Sequence, residues 1–269
     1  KKPTPLANQY LILKFDFSQI DTSTPQNAFQ GFLTNVKNSA LTYLGLYQDL
    51  LGNFDEQTIR NYRFPAEIIQ HMIRVTQLNA PQHKIYLLID EYDHFANEIL
   101  SFRFQDFQEM VGQNGFVRKF YEALKVGTQS GVIARLFITG VSPLTLDSLT
   151  SGFNIATNIS LNKQFASMLG FKQNEVKDII KGIDIKPDQE VETLELMQAW
   201  YNGYRFGKED VETIYNSDMV LYFAAEYSQE GKFPEELLDP NIASDYSKIR
   251  RLFKIKTMFG TKISLICSK

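Results

Sequence analysis

Two adjacent carboxylates, Asp90 and Glu91, close the apolar run Ile85-Tyr-Leu-Leu-Ile89. A buried parallel strand reads as a near-continuous hydrophobic stretch, and in open α/β sheets chemistry gathers beyond the carboxyl ends of such strands. An acid in that position can hold Mg²⁺ directly or through water. Its neighbour, pointing elsewhere, can orient or deprotonate a water that attacks a phosphate. A structural reading stands beside this one. Acids that follow a strand often cap the next helix, and Asp93 could do so for a helix near Phe95–Leu100. The pair alone leaves the two readings balanced.

The elements around the pair alternate. Tyr10–Phe17 reads as a mostly buried strand ended by Ser18 and the turn cluster Thr22–Pro25. Apolar residues at near-helical spacing predict an amphipathic helix over Ala28–Leu51, and a second helix over Pro65–Leu78 starts at a proline tolerated in the first turn. Gly115–Val126 resumes a helical pattern. Val132–Ile138 reads as the next parallel strand, closing in Thr139-Gly140 before the polar loop Ser142–Gly152. The alternation in Phe153–Leu161 predicts a half-exposed strand. Strands separated by helices over this region argue for βαβ units and a parallel sheet. Beyond Gln164 the predicted helices Asn174–Lys181, Glu190–Tyr201, Ser217–Tyr227 and Ile242–Met258 make a helical domain, punctuated by signals such as Lys186-Pro-Asp188.

Composition bounds the function classes. With 269 residues, 43% of them hydrophobic, the chain can bury a sizeable core and is long enough for a core and a smaller second domain. A formal net charge of −3 gives no global footprint for a phosphate backbone. Apolar runs of about five residues fall far short of the roughly 20 that span a bilayer. The single Cys267 excludes an intrachain disulfide framework and a cysteine zinc site, which fits a cytoplasmic location. The chain starts at Lys1 rather than Met and stops in an apparent strand, Lys262–Lys269, so it reads as a fragment of a longer protein.

Several stretches then act together: Leu88-Ile-Asp-Glu-Tyr-Asp93, Phe137-Ile-Thr-Gly-Val-Ser-Pro-Leu144, Phe153-Asn-Ile-Ala-Thr-Asn158, Leu169-Gly-Phe171 with Glu175-Val176, Tyr201-Asn-Gly-Tyr-Arg-Phe206 and Ile214-Tyr-Asn216. In order and spacing they resemble the AAA-ATPase-like proteins of bacteria, often joined to a C-terminal PD-(D/E)XK-type nuclease domain. The resemblance implies an α/β fold. Its three-layer parallel-sheet P-loop NTPase-type core would occupy residues 1–165, truncated at the N-terminus, with a helical, lid-like domain over 166–269. It also implies a Walker B pair, with Asp90 near Mg²⁺ and Glu91 activating water, and a sensor-like Thr139 at the end of the neighbouring strand. Thr139 could equally cap the following loop. Arg205 is a candidate for reaching a phosphate of ATP, or for stacking on its aromatic neighbours.

One departure is chemical. The chain holds no Gly-x-x-x-x-Gly-Lys-Ser/Thr loop, the backbone cradle and lysine that bind the β and γ phosphates; Gly203–Lys208 comes nearest and fails. Members of the resembled family carry that loop upstream of the strand matching Tyr10–Phe17. The core would therefore lack its first strand, which belongs between Val132–Ile138 and Phe153–Leu161. Removing it would expose unpaired backbone groups within a buried sheet.

Other signals are weak. Lys248–Lys269 holds seven basic residues and no acidic one, yet Leu252, Ile255 and Phe259 have the spacing of a packed helix with a wet basic face, which argues against direct nucleic-acid binding. His71, His83 and His94 lack metal-ligand spacing. Phe102, Phe104 and Phe107 read as a hydrophobic anchor. The resulting expectation is most of an ATPase module, inactive by itself, that binds and hydrolyses MgATP in the intact protein. The alternative is a non-catalytic interaction or regulatory module that keeps the fold without binding nucleotide.

Overall fold

The computed structural model describes residues 3–94, 99, 109–112, 114–140, 155–207 and 211–239. The chain divides into two compact units, Lys1–Ala156 and Thr157–Lys269, whereas the sequence reading drew the boundary at 165.

The first unit is built on three parallel strands, β1 (Tyr10–Asp16), β2 (Lys84–Asp90) and β3 (Ile133–Ile138), in the order β1-β2-β3. Leu11, Leu13 and Phe15 of β1 and Ile85, Leu87 and Ile89 of β2 are buried on one face, while alternate residues such as Ile12 and Tyr86 are exposed or half-buried. Strand β2 is thus covered on one face rather than two among the described residues. Helix α1 (Pro25–Leu46) starts where Thr24 accepts a hydrogen bond from Asn27 N, at 3.1 Å, with Pro25 in the first turn. It begins earlier than Ala28 and stops at Leu46, followed by the short α2 (Gln48–Leu51) and α3 (Glu56–Asn61). Helix α4 (Pro65–Asn79) is anchored by Glu67, which accepts from the backbone N–H groups of Phe64 and Arg63 at 2.9 and 3.0 Å. Helix α5 (Phe116–Gln129) links β2 to β3.

Helices α1, α4 and α5 form one contiguous layer against the sheet. Crossovers of one hand that step in one direction along a sheet put their helices on one face. The described residues therefore make two of the three expected layers. An interlocked aromatic cluster fills the space between them. Phe17 stacks on Phe32 with ring centroids 4.6 Å apart, and Phe120 meets Phe15, Phe17 and Phe32 edge-on.

The two edges of the sheet are finished differently. On β1, Tyr47 Oη accepts from Ile12 N at 2.8 Å and Asn35 Nδ2 donates to the Asp16 carbonyl. On β3, no described residue beyond β2 pairs with the strand. The strand expected at Phe153–Leu161 is not formed over its described part, 155–161. Asn158 Oδ1 instead accepts from Ser160 N at 2.9 Å and Asn162 N donates to the Ile159 carbonyl at 3.0 Å. Such local side-chain turns compete with strand pairing, and no described strand lies beside the segment to reward it.

The second unit has its own core around Val176, Met197, Tyr215, Val220 and Phe223. Helices α6 (Gln173–Gly182), α7 (Glu190–Tyr201) and α8 (Ser217–Glu230) follow the predicted pattern; Ile242–Met258 lies outside the described residues. The unit is not purely helical. Strands β4 (Asn202–Tyr204) and β5 (Ile214–Tyr215) pair antiparallel, and Tyr215 exchanges backbone hydrogen bonds with Phe171. Gly170, at φ +100, fits there because a side chain would strike the Tyr215 carbonyl. These strands are two or three residues long, too short for periodicity to reveal.

Candidate active site

The carboxyl ends of the three strands bring four polar side chains together. Asp16 and Asp90 are register partners, and Ile89 pairs with Ile138, so Thr139 falls beside Asp90. Backbone hydrogen bonds continue past the strand ends: Phe17 N donates to the Asp90 carbonyl, Thr139 N to the Ile89 carbonyl, and Tyr92 N to the Thr139 carbonyl. The Thr139 hydroxyl donates to Asp90 Oδ1. Oδ2 of Asp90 has no hydrogen-bond partner among the described residues.

Glu91 leaves the strand abruptly. Its φ of +52 lies in the left-handed region, costly for a residue with a Cβ, and His94 N donates to its carbonyl at 3.2 Å to close the turn. Burial holds its carboxyl above the ordinary value, as do the negative charges of Asp93, Asp90 and Asp16, while His94 opposes them. The His94 ring stands 3.7 Å from the carboxylate. Asp16 is shifted the other way, because the Ser18 side chain and backbone N–H hydrogen-bond its ionised form.

Behind Glu91 the chain turns inward. Tyr92 and Asp93 are buried, Asp93 completely. Gly140, just past β3, lies so close that an added Cβ would overlap Asp93 Oδ1 and the Tyr92 ring. Buried Tyr121 of α5 adjoins them: its hydroxyl pKa is raised by burial and then by Tyr92 and Asp93.

Of the residues singled out from sequence, Asp90, Glu91 and Thr139 meet at this mouth. Thr139 contacts Asp90, which the sensor reading did not foresee. Arg205 belongs to the second unit, where it follows β4 and is exposed. His71 hydrogen-bonds Tyr62 Oη at 3.0 Å and burial lowers its pKa, as in a structural histidine. Phe102, Phe104, Phe107 and Lys248–Lys269 lie outside the described residues. Two residues were missed. Asp16 closes its own apolar strand just as Asp90 does, so the signal was present in Leu13-Lys-Phe-Asp16. Asp93 was weighed only as a possible cap for a helix near Phe95–Leu100, a stretch that lies almost wholly outside the described residues, and only tertiary packing reveals its burial.

The described residues contain no group of three or more His, Cys, Asp or Glu spaced to hold a metal ion. Mg²⁺ makes no such demand. It is a hard cation usually held by one or two carboxylates, with water and substrate phosphates completing its shell. The Asp90 carboxylate is a donor of that type.

Comparisons with known proteins bear on this arrangement. Over 149 residues the chain is 26% identical to an "Uncharacterized protein in vnfD 5'region" of Azotobacter chroococcum mcd 1, an alignment covering 54% of this chain and 25% of that protein. The match spans a quarter of that relative's length. No solved structure matches the chain. The family described as Predicted AAA-ATPase matches residues 1–150, more than half of the sequence and all of the sheet that carries Asp90, Glu91 and Thr139, and the chain belongs to that family.

Proposed function

We propose that the mouth formed by Asp90, Glu91 and Thr139 is the metal and water side of an ATPase site that works in the intact protein. The observation that carries this reading is the Thr139 to Asp90 hydrogen bond, which ties together the ends of two neighbouring strands at the carboxylate. Mg²⁺, when bound, supplies positive charge to the phosphates of ATP. Asp90 would hold it through its carboxylate, directly or through water. Thr139 fixes the carboxylate so that binding the ion requires little reorganisation. Glu91 orients the attacking water and draws off its proton in an in-line displacement at the γ-phosphate. Its raised pKa brings the carboxylate closer to the working pH, which strengthens it as a base. The phosphate cradle is absent from these 269 residues, so the test belongs in the full-length parent protein.

In that protein Glu91→Gln should retain ATP binding and lower kcat about 10²-fold to 10⁴-fold, the span of a general base. Equilibrium binding and single-turnover hydrolysis read the two quantities separately. Unchanged turnover would remove Glu91 from its role.

The missing glycine-lysine loop favours a second reading, a regulatory or interaction module that retains the fold and carboxylates without binding nucleotide. If the full-length parent carries no Gly-Lys-Ser/Thr loop and shows no ATP binding by calorimetry, this second reading holds.

A further inference from the structure

We propose that Asp93 and Gly140 form a clasp between the exits of β2 and β3, and that Asp93 is a positioning residue which aims Glu91. The catalytic half of this inference rests on the ATPase reading; the clasp itself does not. Asp93 is completely buried three residues beyond a strand end, where the half-buried Asp90 and Glu91 lie. A carboxylate is rarely buried unless its surroundings satisfy it, so its location is specified by the fold. Its Oδ1 and the Tyr92 ring occupy the volume that any side chain at 140 would need. Gly140 has no positive φ, so close approach, rather than backbone conformation, is what requires glycine there.

The clasp acts on Glu91 through two bonds. Tyr92 N donates to the Thr139 carbonyl and Thr139 N to the Ile89 carbonyl, at 3.1 and 2.9 Å, so Glu91 is bracketed by residues tied to β3. Between those ties its backbone must turn through the left-handed region, which persists only where neighbouring structure over-determines it. With Asp93 drawn inward against Gly140, the chain cannot relax outward. The Glu91 carboxylate stays at the mouth beside Asp90.

Two variants test this, Asp93→Ser and Gly140→Ala. Serine keeps the capacity to cap a following helix but loses reach, and alanine at 140 displaces the Asp93 carboxylate and the Tyr92 ring while leaving both residues chemically unchanged. Hydrogen exchange is measured on the 269-residue chain, with ATP affinity and kcat measured on the full-length parent. We expect exchange of the Tyr92 and Thr139 amides to speed at least tenfold, while Leu13 in β1 is unchanged. In the parent, kcat should fall at least about tenfold with ATP affinity preserved, the split expected when a reacting group is misaimed. Unchanged exchange at Tyr92 and Thr139 in both variants, or equal acceleration at Leu13, overturns the clasp. Faster local exchange with unchanged kcat overturns the aiming role. If the wild-type parent does not hydrolyse ATP, the ATPase reading and the aiming role fail together, and the exchange data alone decide the clasp.

Discussion

The outer edge of β1 is closed by side chains from its own connection to β2, while the outer edge of β3 meets no described partner. Unpaired strand groups attract other chains, and native proteins cover the edges they keep. Tyr47 and Asn35 cap a backbone N–H and a carbonyl of β1, so that strand is finished as a true boundary. Strand β3 carries half-buried Leu136, Phe137 and Ile138 up to an edge with no such caps among the described residues. The contrast marks the side of β3, next to Thr139, as the edge without a partner among the described residues.

The largest test of this contrast removes what supports both edges. Phe120 packs edge-on against Phe15 and Phe17 of the β1 side and against Phe32 of α1. Phe120→Ala should cost about 3–5 kcal/mol, measured by denaturant unfolding. A loss below about 1 kcal/mol would mean that the aromatic cluster does not hold the sheet to its helices. A smaller perturbation sharpens the comparison. Tyr47→Phe removes the hydroxyl from Ile12 N and should cost about 0.5–1.5 kcal/mol, with faster exchange at the Ile12 amide. Exchange at β3 should be indifferent to that change. Rapid exchange of Leu136 and Ile138 in this chain, slowed in the full-length parent, is the expected mark of an edge that receives a strand; equal rates in both would leave β3 as a second boundary.

The smallest effect concerns pH. The folded-state pKa of Glu91 lies above its ordinary 4.5, so the folded state disfavours its ionised form. The wild-type protein therefore loses stability as pH rises from the unfolded value through the folded one. Glu91→Gln should match it in stability below that window and exceed it above. Melting curves at acid and neutral pH measure the difference, and an opposite trend would show that the carboxylate is stabilised where it sits. The side chain is 36% exposed, which keeps the expected gain small.

Much of the first unit was legible because its signals are local. The apolar runs of β1, β2 and β3, the proline start of α4 and the acids closing β2 are read directly from residue order, whereas Pro25, taken as part of a turn, opens α1. The strand expected at Phe153–Leu161 had the right alternation, but a strand needs a neighbour as well as a pattern, and Asn158 offered the backbone a turn. The β4–β5 pair failed to register for the opposite reason: its partners make sense only through Phe171 and the packing of Tyr215. At the site, Asp90, Glu91 and Thr139 were marked by their places at strand ends. Asp16 carried the same mark and was passed over.

The sequence by itself determined which residues would stand at the carboxyl ends of parallel strands, because strand periodicity and chain direction are local properties of the polymer. Only the tertiary structure decided that Thr139 hydrogen-bonds Asp90, that Asp93 is buried against Gly140, and that side chains of α1 and Tyr47 cap the outer edge of β1. Those contacts join residues tens of positions apart, and their geometry follows from how helices α1, α4 and α5 set three strands side by side.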